Sequence, residues 1–235
     1  MTIHLDPRLR LVASFVRPGS VVADIGTDHA YLPVYLVSTG VCPQAFACDL
    51  RTGPLQNAAQ TVQAAGLADR IATVLSNGLD ALTPGCADDV IFAGMGGILI
   101  AELFGRANWL KNPDVRVIAQ PMSHAEDVRM WLFDNGFSID SEGCVFDRHH
   151  GYVAIAAHYT GKKTACTPAL PYGGTLFEQN DPQAVRLLSG QLQRLKKRRD
   201  ALQNAQSDSA ETARLCAVIQ DFERRMQHAD SQTSE

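Results

Sequence analysis

The sequence predicts an α/β protein built on a mostly parallel sheet, followed by a helical appendage. Three observations predict it. Apolar runs of strand length alternate with helix-length segments from about residue 20 to residue 160. Acidic residues or glycines mark the exits of the early strands, at Asp24-Ile-Gly26, Asp49, Asn77-Gly78 and Gly94. From residue 181 the pattern changes to three- and four-residue apolar steps carried through two long segments.

Leu5–Phe15 carries Leu9, Val12, Ala13 and, just beyond, Val16 at helical spacing, and Pro18-Gly19 stops it. Val21–Ala23 reads as a buried strand with Asp24 at its end. Gly26 permits the tight turn after it, and Tyr31–Val37 begins a helix. Ala45–Cys48 is a second strand closed by Asp49, and Pro54–Ala65 is a helix with proline in its first turn. Ile71–Leu75 and Asp89–Ala93 are strands three and four. The block Gly94-Met95-Gly96-Gly97 leaves the fourth, and a helix begins at Ile98. Val115–Ala119 is strand five, with Gln120-Pro121 as its exit, and Ala125–Asn135 is a helix stopped by Gly136. Phe137–Phe146 and Tyr152–Tyr159 alternate around Asp147–Gly151 as an antiparallel hairpin, which makes seven strands. Gly161–Gly174, with two prolines and closing glycines, reads as a linker. Val185, Leu188, Leu192, Leu195 and Leu202 form one seam. Leu215, Val218, Ile219, Phe222 and Met226 form a second, and the polar 204–209 lies between them. An antiparallel, coiled-coil-like hairpin follows, with a frayed end over Asp230–Glu235. The expected domains are therefore 1–160, a linker 161–180 and a helical hairpin 181–229.

Composition narrows the function. The chain has 235 residues, 46% of them hydrophobic, and a net charge of −4, so any nucleic-acid contact must come from a local basic patch. Six scattered cysteines without a C-x-x-C pair argue against a zinc site and a disulfide scaffold. No metal is expected. The most apolar stretch, Val90–Phe104, is broken by glycines and Glu102 and is too short to span a bilayer. The N-terminus has no signal-peptide pattern, so a cytoplasmic protein is expected, and it is expected to be a monomer.

In an open α/β sheet, ligands bind outside the carboxyl ends of the strands, beside the first strand-to-helix turn. That turn offers backbone N–H groups and a helix N-terminus. Only Gly26 of the G-x-G-x-x-G spacing is present, and Asp24 and Asp28 would repel a pyrophosphate. They suit a cationic, hydroxyl-rich ligand such as S-adenosylmethionine. Asp49 ends strand two, where such folds bind ribose hydroxyls. Asn77 either contacts the cofactor's adenine, with Gly78 beside it, or makes an ordinary Asn-Gly turn.

Asp-Ile-Gly-x-Asp-His-Ala-Tyr-Leu-Pro, the downstream Ala-Gly-Met-Gly-Gly and the Gln120-Pro121 pair together resemble the bacterial tRNA (adenine-22 N1) methyltransferase family, often called TrmK. The resemblance runs from Leu5 to about Tyr159 and more weakly into the tail. It implies a Rossmann-like class I methyltransferase fold with strand order 3-2-1-4-5-7-6. It also implies methylation of N1 of adenine 22 in tRNA. The cofactor would be held by Asp24, Gly26, Thr27, Asp28, Asp49, Asn77, Gly78, Gly94, Met95, Gly96 and Gly97. Catalytic candidates are Asp28, His29, Tyr31, Met95 and Gln120. Tyr31 either walls an extruded adenine or faces the core. Gln120 either reads an adenine edge or ties down a loop, and His29 either acts in catalysis or orients the loop. The Asp/Asn-Pro-Pro-aromatic motif of amino-group methyltransferases is absent, which fits a ring nitrogen as acceptor. Arg8 either lies on a solvated helix face or, as the resemblance implies, contacts RNA or the active site, and further RNA contacts are expected from the run Arg194, Lys196, Lys197, Arg198, Arg199. The same run equally reads as a solvated face. Rival readings are a methyltransferase for another RNA, a protein or a small molecule, and a non-catalytic RNA-binding protein with a vestigial cleft. An NAD-dependent oxidoreductase lacks its glycine spacing.

Overall fold

A computed structural model describes residues 3–205 and 209–231. Helix α1 (Pro7–Ser14) starts where Asp6 caps it, its Oδ1 accepting the Leu9 N–H at 2.7 Å with proline at the first helical position. The sheet strands are β1 (Val22–Ile25), β2 (Ala45–Asp49), β3 (Ile71–Leu75), β4 (Asp89–Gly96), β5 (Arg116–Ser123), β6 (Phe137–Asp147) and β7 (His150–Tyr159). Between them lie α2 (Tyr31–Ser38), α3 (Thr52–Ala64), α4 (Gly97–Arg106), a 3-10 turn at Asn108–Leu110 and α5 (Ala125–Asp134).

The strand order is β3-β2-β1-β4-β5-β7-β6, parallel throughout except for the two pairings of β7. This is the order that the resemblance implied. The topological switch point lies between β1 and β4, so their carboxyl ends open a crevice. Successive central-strand residues alternate between two apolar layers. Ile91, Ile118 and Ala154 join the layer under α1 to α3, while Phe92, Val117 and Ile155 join the one under α4 and α5. Among the described residues no helix is long and apolar enough to cross a membrane.

The structure differs from the sequence reading in three places. Strands four and five are longer than expected. The glycine block and Gln120-Pro121 are not loops: pairing continues through Ala93↔Gln120 and Met95↔Pro121 with register shifts around Met95. Second, the later part of the expected linker is folded, as α6 (Leu170–Gly173) and a 3-10 segment (Gly174–Glu178) with Leu176 and Phe177 buried. A buried ion pair bolts it down. Arg129 donates to Glu142 Oε1 at 2.7 Å and to the Pro171 carbonyl at 2.9 Å, and Glu142 Oε2 accepts the Thr175 N–H at 2.8 Å. Third, Val185 is 40% exposed and leaves the seam of α7 (Pro182–Asn204), where Ala184 is buried with Leu188 and Leu195.

Helix α8 (Ser209–Ser231) buries Leu215, Val218, Ile219 and Phe222 in the same layer as Phe92. Its Asp221 accepts from Thr167 Oγ1 at 2.6 Å and from the Ala169 N–H at 2.9 Å. Burial would raise that carboxyl, but these bonds together with Arg224 and Arg225 hold it well below the usual range. Residues 206–208 of the expected break and 232–235 of the expected frayed end lie outside the described residues.

Candidate active site

Beyond β1, Gly26 takes φ +79°, and the N–H groups of Gly26 and Thr27 both donate to the Cys48 carbonyl at 2.8 Å. The first loop is thereby pinned to β2, and these two N–H groups are not free donors, contrary to the sequence reading. A Cβ on Gly26 would lie 2.5 Å from Met95 Cε, so the thioether of Met95 rests on the glycine. Thr27 Oγ1 accepts the Ala30 N–H at 3.1 Å at the start of α2. Asp28 and His29 lean outward with 3.4 Å between their polar atoms. His29 stacks on Tyr31 at 5.1 Å between centroids and 9° between planes. Tyr31 is 43% exposed and does not face the core.

Two carboxylates stand behind this loop. Asp24 is buried, and desolvation pushes its carboxyl up to about 6 against the pull of Thr27 and Arg8, with Asp49 adding to the rise. Asp49 is also buried, and its Oδ1 accepts the Arg51 N–H at 2.7 Å.

Across the crevice, Gln120 is fully buried. Its Oε1 accepts from Gly94 N–H at 3.1 Å and from Arg8 Nη1 at 2.7 Å, while its Nε2 donates to the Pro121 carbonyl at 3.1 Å. Its amide therefore ties α1, β4 and β5 together, which is the loop-tying alternative. Gly94 takes φ +79°, and a Cβ there would meet Arg8 Nη1 at 3.4 Å. Gly97 serves packing: a Cβ there would lie 2.0 Å from the His124 carbonyl oxygen. Gly96 is less confined, its nearest neighbour being Ser123 Oγ.

On the β3 side, Asn77 is exposed. With its amide oxygen turned toward Arg106 it accepts from both terminal nitrogens at 3.2 Å, and Arg106 also pairs with Asp80. Gly78 is buried against Leu103. The edge also exposes Leu50, 63% accessible, and Leu75. Sequence reasoning passed over both because an apolar residue beside a strand end looks like core. Their exposure suits the faces of a planar base. On the opposite, β4–β5 side, Arg8 reaches the crevice through Gln120, a contact across 112 residues that helical spacing alone does not reveal.

The tail run is largely paired. Lys196 meets Glu223 at 2.6 Å, Arg199 meets Asp200 at 2.6 Å, Arg198 pairs with Glu211, and Arg194 donates to Gln191. Among the described residues Lys197 has no ion-pair partner. His124, Glu126 and Asp127 form a cluster whose donor atoms lie within 4.8 Å of one another, with His124 Nδ1 at 3.3 Å from the Asp127 carboxylate and 3.8 Å from that of Glu126.

Residues 5–155 match the family model described as a methyltransferase domain. The Streptococcus pneumoniae protein Sp1610, solved in complex with S-adenosyl-L-methionine, superposes with a TM-score of 0.78 at 32% identity. That match covers 95% of this chain and 100% of that one. The chain belongs to the TrmK family of class I methyltransferases. The crystal structure of the Bacillus subtilis m1A22 tRNA methyltransferase TrmK matches at TM-score 0.79 and 26% identity, over 98% of this chain and 99% of that chain. A curated tRNA (adenine(22)-N(1))-methyltransferase of Bacillus subtilis is 36% identical over 140 residues. That stretch is 60% of this chain and 59% of that relative's length, so the aligned part is less than two thirds of the TrmK-family protein.

Proposed function

We propose that this protein transfers a methyl group from S-adenosylmethionine to N1 of adenine 22 in tRNA. The observation that carries the reading is the crevice between β1 and β4: two buried carboxylates, Asp24 and Asp49, face a glycine-lined strand end, in a chain of the TrmK family. Such a donor set fits a cationic nucleoside and disfavours a pyrophosphate. Bound there, the cofactor supplies a sulfonium methyl, which the N1 lone pair takes as the carbon–sulfur pair returns to sulfur.

The chain's residues bind and orient. Asp49 keeps one carboxylate oxygen for ribose hydroxyls while the other holds Arg51 N–H. Leu50, Asn77 and Gly78 border the adenine, and Gly26, Thr27 and Met95 shape the floor. Gly94 and Gly96 leave room at the strand-four edge, and Gly97 fixes the helix behind it. Neutral adenine N1 already carries its lone pair, so positioning outweighs proton abstraction. Tyr31, stacked on His29 at the rim, is the wall for an extruded adenine. Asp28 accepts from the exocyclic amine as the ring becomes cationic, and Gln120 acts through the backbone it fixes rather than on the base.

For the tRNA backbone the reading favours a groove of about 510 Å³ between the end of β5, the β6–β7 turn and α7. His124, His149, His150, Arg194 and Arg198 line it. The exposed ion pairs of Lys196, Arg198 and Arg199 are weak enough to yield to phosphates. The enzyme works as a cytoplasmic monomer without a metal. The test is methyl transfer from labelled S-adenosylmethionine to unmodified bacterial tRNA, followed by nucleoside analysis. The expected product is 1-methyladenosine, lost when adenine 22 is replaced. Label in another nucleoside, or none with a folded protein, would overturn the assignment.

A further inference from the structure

Helices α4 and α5 present two matched stripes to one groove. On α4, Ile98, Ala101, Glu102 and Gly105 follow one another at three- and four-residue steps, and on α5 so do Asp127, Met130, Trp131 and Asp134. Residues so spaced share one helix face. The groove has a volume of about 640 Å³, and no basic side chain lines it. Trp131 belongs to its floor and is held from behind by Phe104 and Phe137, at 5.2 and 5.4 Å between ring centroids. Gly105 keeps this floor uncovered: a Cβ there would lie 3.7 Å from Trp131 Nε1.

The carboxylates along the groove are short of cations. Asp134 ends α5, which has no basic residue in its last turn, so it adds negative charge where the helix already presents its negative end. Among the described residues neither Asp134 nor Glu102 has an ion-pair partner, and Arg106, one turn on from Glu102, is turned to Asp80. Asp127 offers one oxygen to His124 at 3.3 Å. Asp127 and Asp134 stand two turns, about 10 Å, apart along α5. Gly97 packs against His124 at one end and Gly105 against Trp131 further along, so Glu102 lies level with the stretch between the two aspartates. Negative charge therefore alternates with the apolar surface of Met130 and Trp131. A single metal ion cannot gather carboxylates spread over that length. A peptide would set its own backbone carbonyls against carboxylates on both helices. A chain of ammonium groups joined by methylenes matches each part. Its ends meet Asp127 and Asp134, its middle ammonium meets Glu102, and its methylenes and charge lie along Met130 and the indole. We propose that the groove between α4 and α5 binds a linear aliphatic polyamine of the length of spermidine. The site lies outside the crevice, and filling it requires neither S-adenosylmethionine nor tRNA.

The test is calorimetric titration of spermidine into the full chain at about 0.15 M salt. Tryptophan emission is read in parallel in Trp109→Phe, which leaves Trp131 as the one remaining tryptophan of two. Saturable binding to one site is expected, with a change in Trp131 emission that follows the heat. Glu102→Gln and Asp134→Asn should each weaken binding about two- to fivefold. Gly105→Leu leaves every charge in place and lays a side chain across the indole, so it should weaken binding by about tenfold or more. Magnesium at equal charge concentration should not displace the spermidine. No saturable binding, displacement by magnesium, or undiminished binding in Gly105→Leu overturns the proposal and leaves a diffuse acidic face. If Gly105→Leu does not fold, undiminished binding in the Glu102→Gln, Asp134→Asn double variant overturns it instead. Tighter binding of the blocked peptide Lys-Leu-Leu-Lys than of spermidine would give the groove to a protein partner. Self-association that Gly105→Leu abolishes would give it to a second copy of the chain, and either result overturns the polyamine assignment.

Discussion

Asp24 carries a burial cost that Thr27 and Arg8 offset only in part. Burial pushes its carboxyl up to about 6, above the ordinary value of 3.8. The folded protein therefore binds this proton more tightly than the unfolded chain does. The penalty is present in full above pH 6 and fades as pH falls from about 6 toward 4. A shift of roughly two units corresponds to at most about 3 kcal/mol. Asp24→Asn, which resembles the protonated acid, is expected to raise the melting temperature at pH 8 and flatten its pH dependence between 4 and 7. The same variant loses cofactor affinity, because it cannot pair with an ammonium. In the wild type, S-adenosylhomocysteine affinity measured by calorimetry should fall as pH drops through about 6, and Asp24→Asn should lose that slope. Unchanged stability at pH 8 would count against the buried charge, and unchanged affinity against its role. Asp49→Ala should weaken cofactor binding by about tenfold or more while leaving the fold intact. The placement of Asp24 and Asp49 at the ends of β1 and β2 was readable in the sequence because it depends only on local order. Arg8 was not readable in the same way. Its meaning depends on Gln120, 112 residues away, and on burial that helical spacing does not encode.

At the scale of elements, glycine and proline misled the boundaries for one reason. Both usually end strands, and here they sit inside paired ones. β4 and β5 absorb Gly94 and Pro121 through register shifts beside Met95, because pairing with a neighbour outweighs local propensity. The later part of the expected linker was illegible for a related reason. Prolines and glycines around 168–174 look like punctuation, yet the segment is held by Arg129 and Glu142, which lie outside it. Arg129→Ala should cost about 3–5 kcal/mol in chemical denaturation, because it strands a buried carboxylate. Arg129→Met paired with Glu142→Leu should recover much of that loss. If both variants are equally unstable, the pair is not what fastens the segment. Gly97 offers a sharper contrast. Gly97→Ala would force a methyl to 2.0 Å from a backbone oxygen, whereas Gly53 in α3 has nothing within 4 Å of its Cβ position. Gly53→Ala should be neutral or stabilising by up to about 1 kcal/mol, while Gly97→Ala should disturb the start of α4 and with it the strand-four edge. Melting curves of the two variants side by side would separate packing from helix propensity.

For the whole molecule, the issue is how a chain of net charge −4 holds a polyanion. The seven-stranded sheet and the helical pair were both anticipated, since each rests on periodicity sustained over many residues. What periodicity could not supply is the pairing of the basic run. Lys196–Glu223 and Arg198–Glu211 join α7 to α8, so part of the positive charge is spent between the helices of the protein itself. Two roles then compete for the same side chains. If they serve only as struts, removing their charge lowers stability slightly and leaves tRNA binding and its salt slope alone. If they also serve as phosphate contacts, each lost contact reduces the slope of log affinity against log salt by roughly 0.7–0.9. Lys197 separates the roles, because among the described residues it has no ion-pair partner to lose. Lys197→Gln should weaken tRNA binding and reduce the salt slope by about one contact without moving the melting temperature. Neutralising Lys196, Lys197, Arg198 and Arg199 together should reduce both further, while calorimetric affinity for S-adenosylhomocysteine stays constant, since none of the four lies at the crevice. A salt slope that survives the fourfold change would assign the backbone contacts to the groove's Arg194 and its histidines instead. The helical pair would then matter to RNA only because it forms the groove's outer wall.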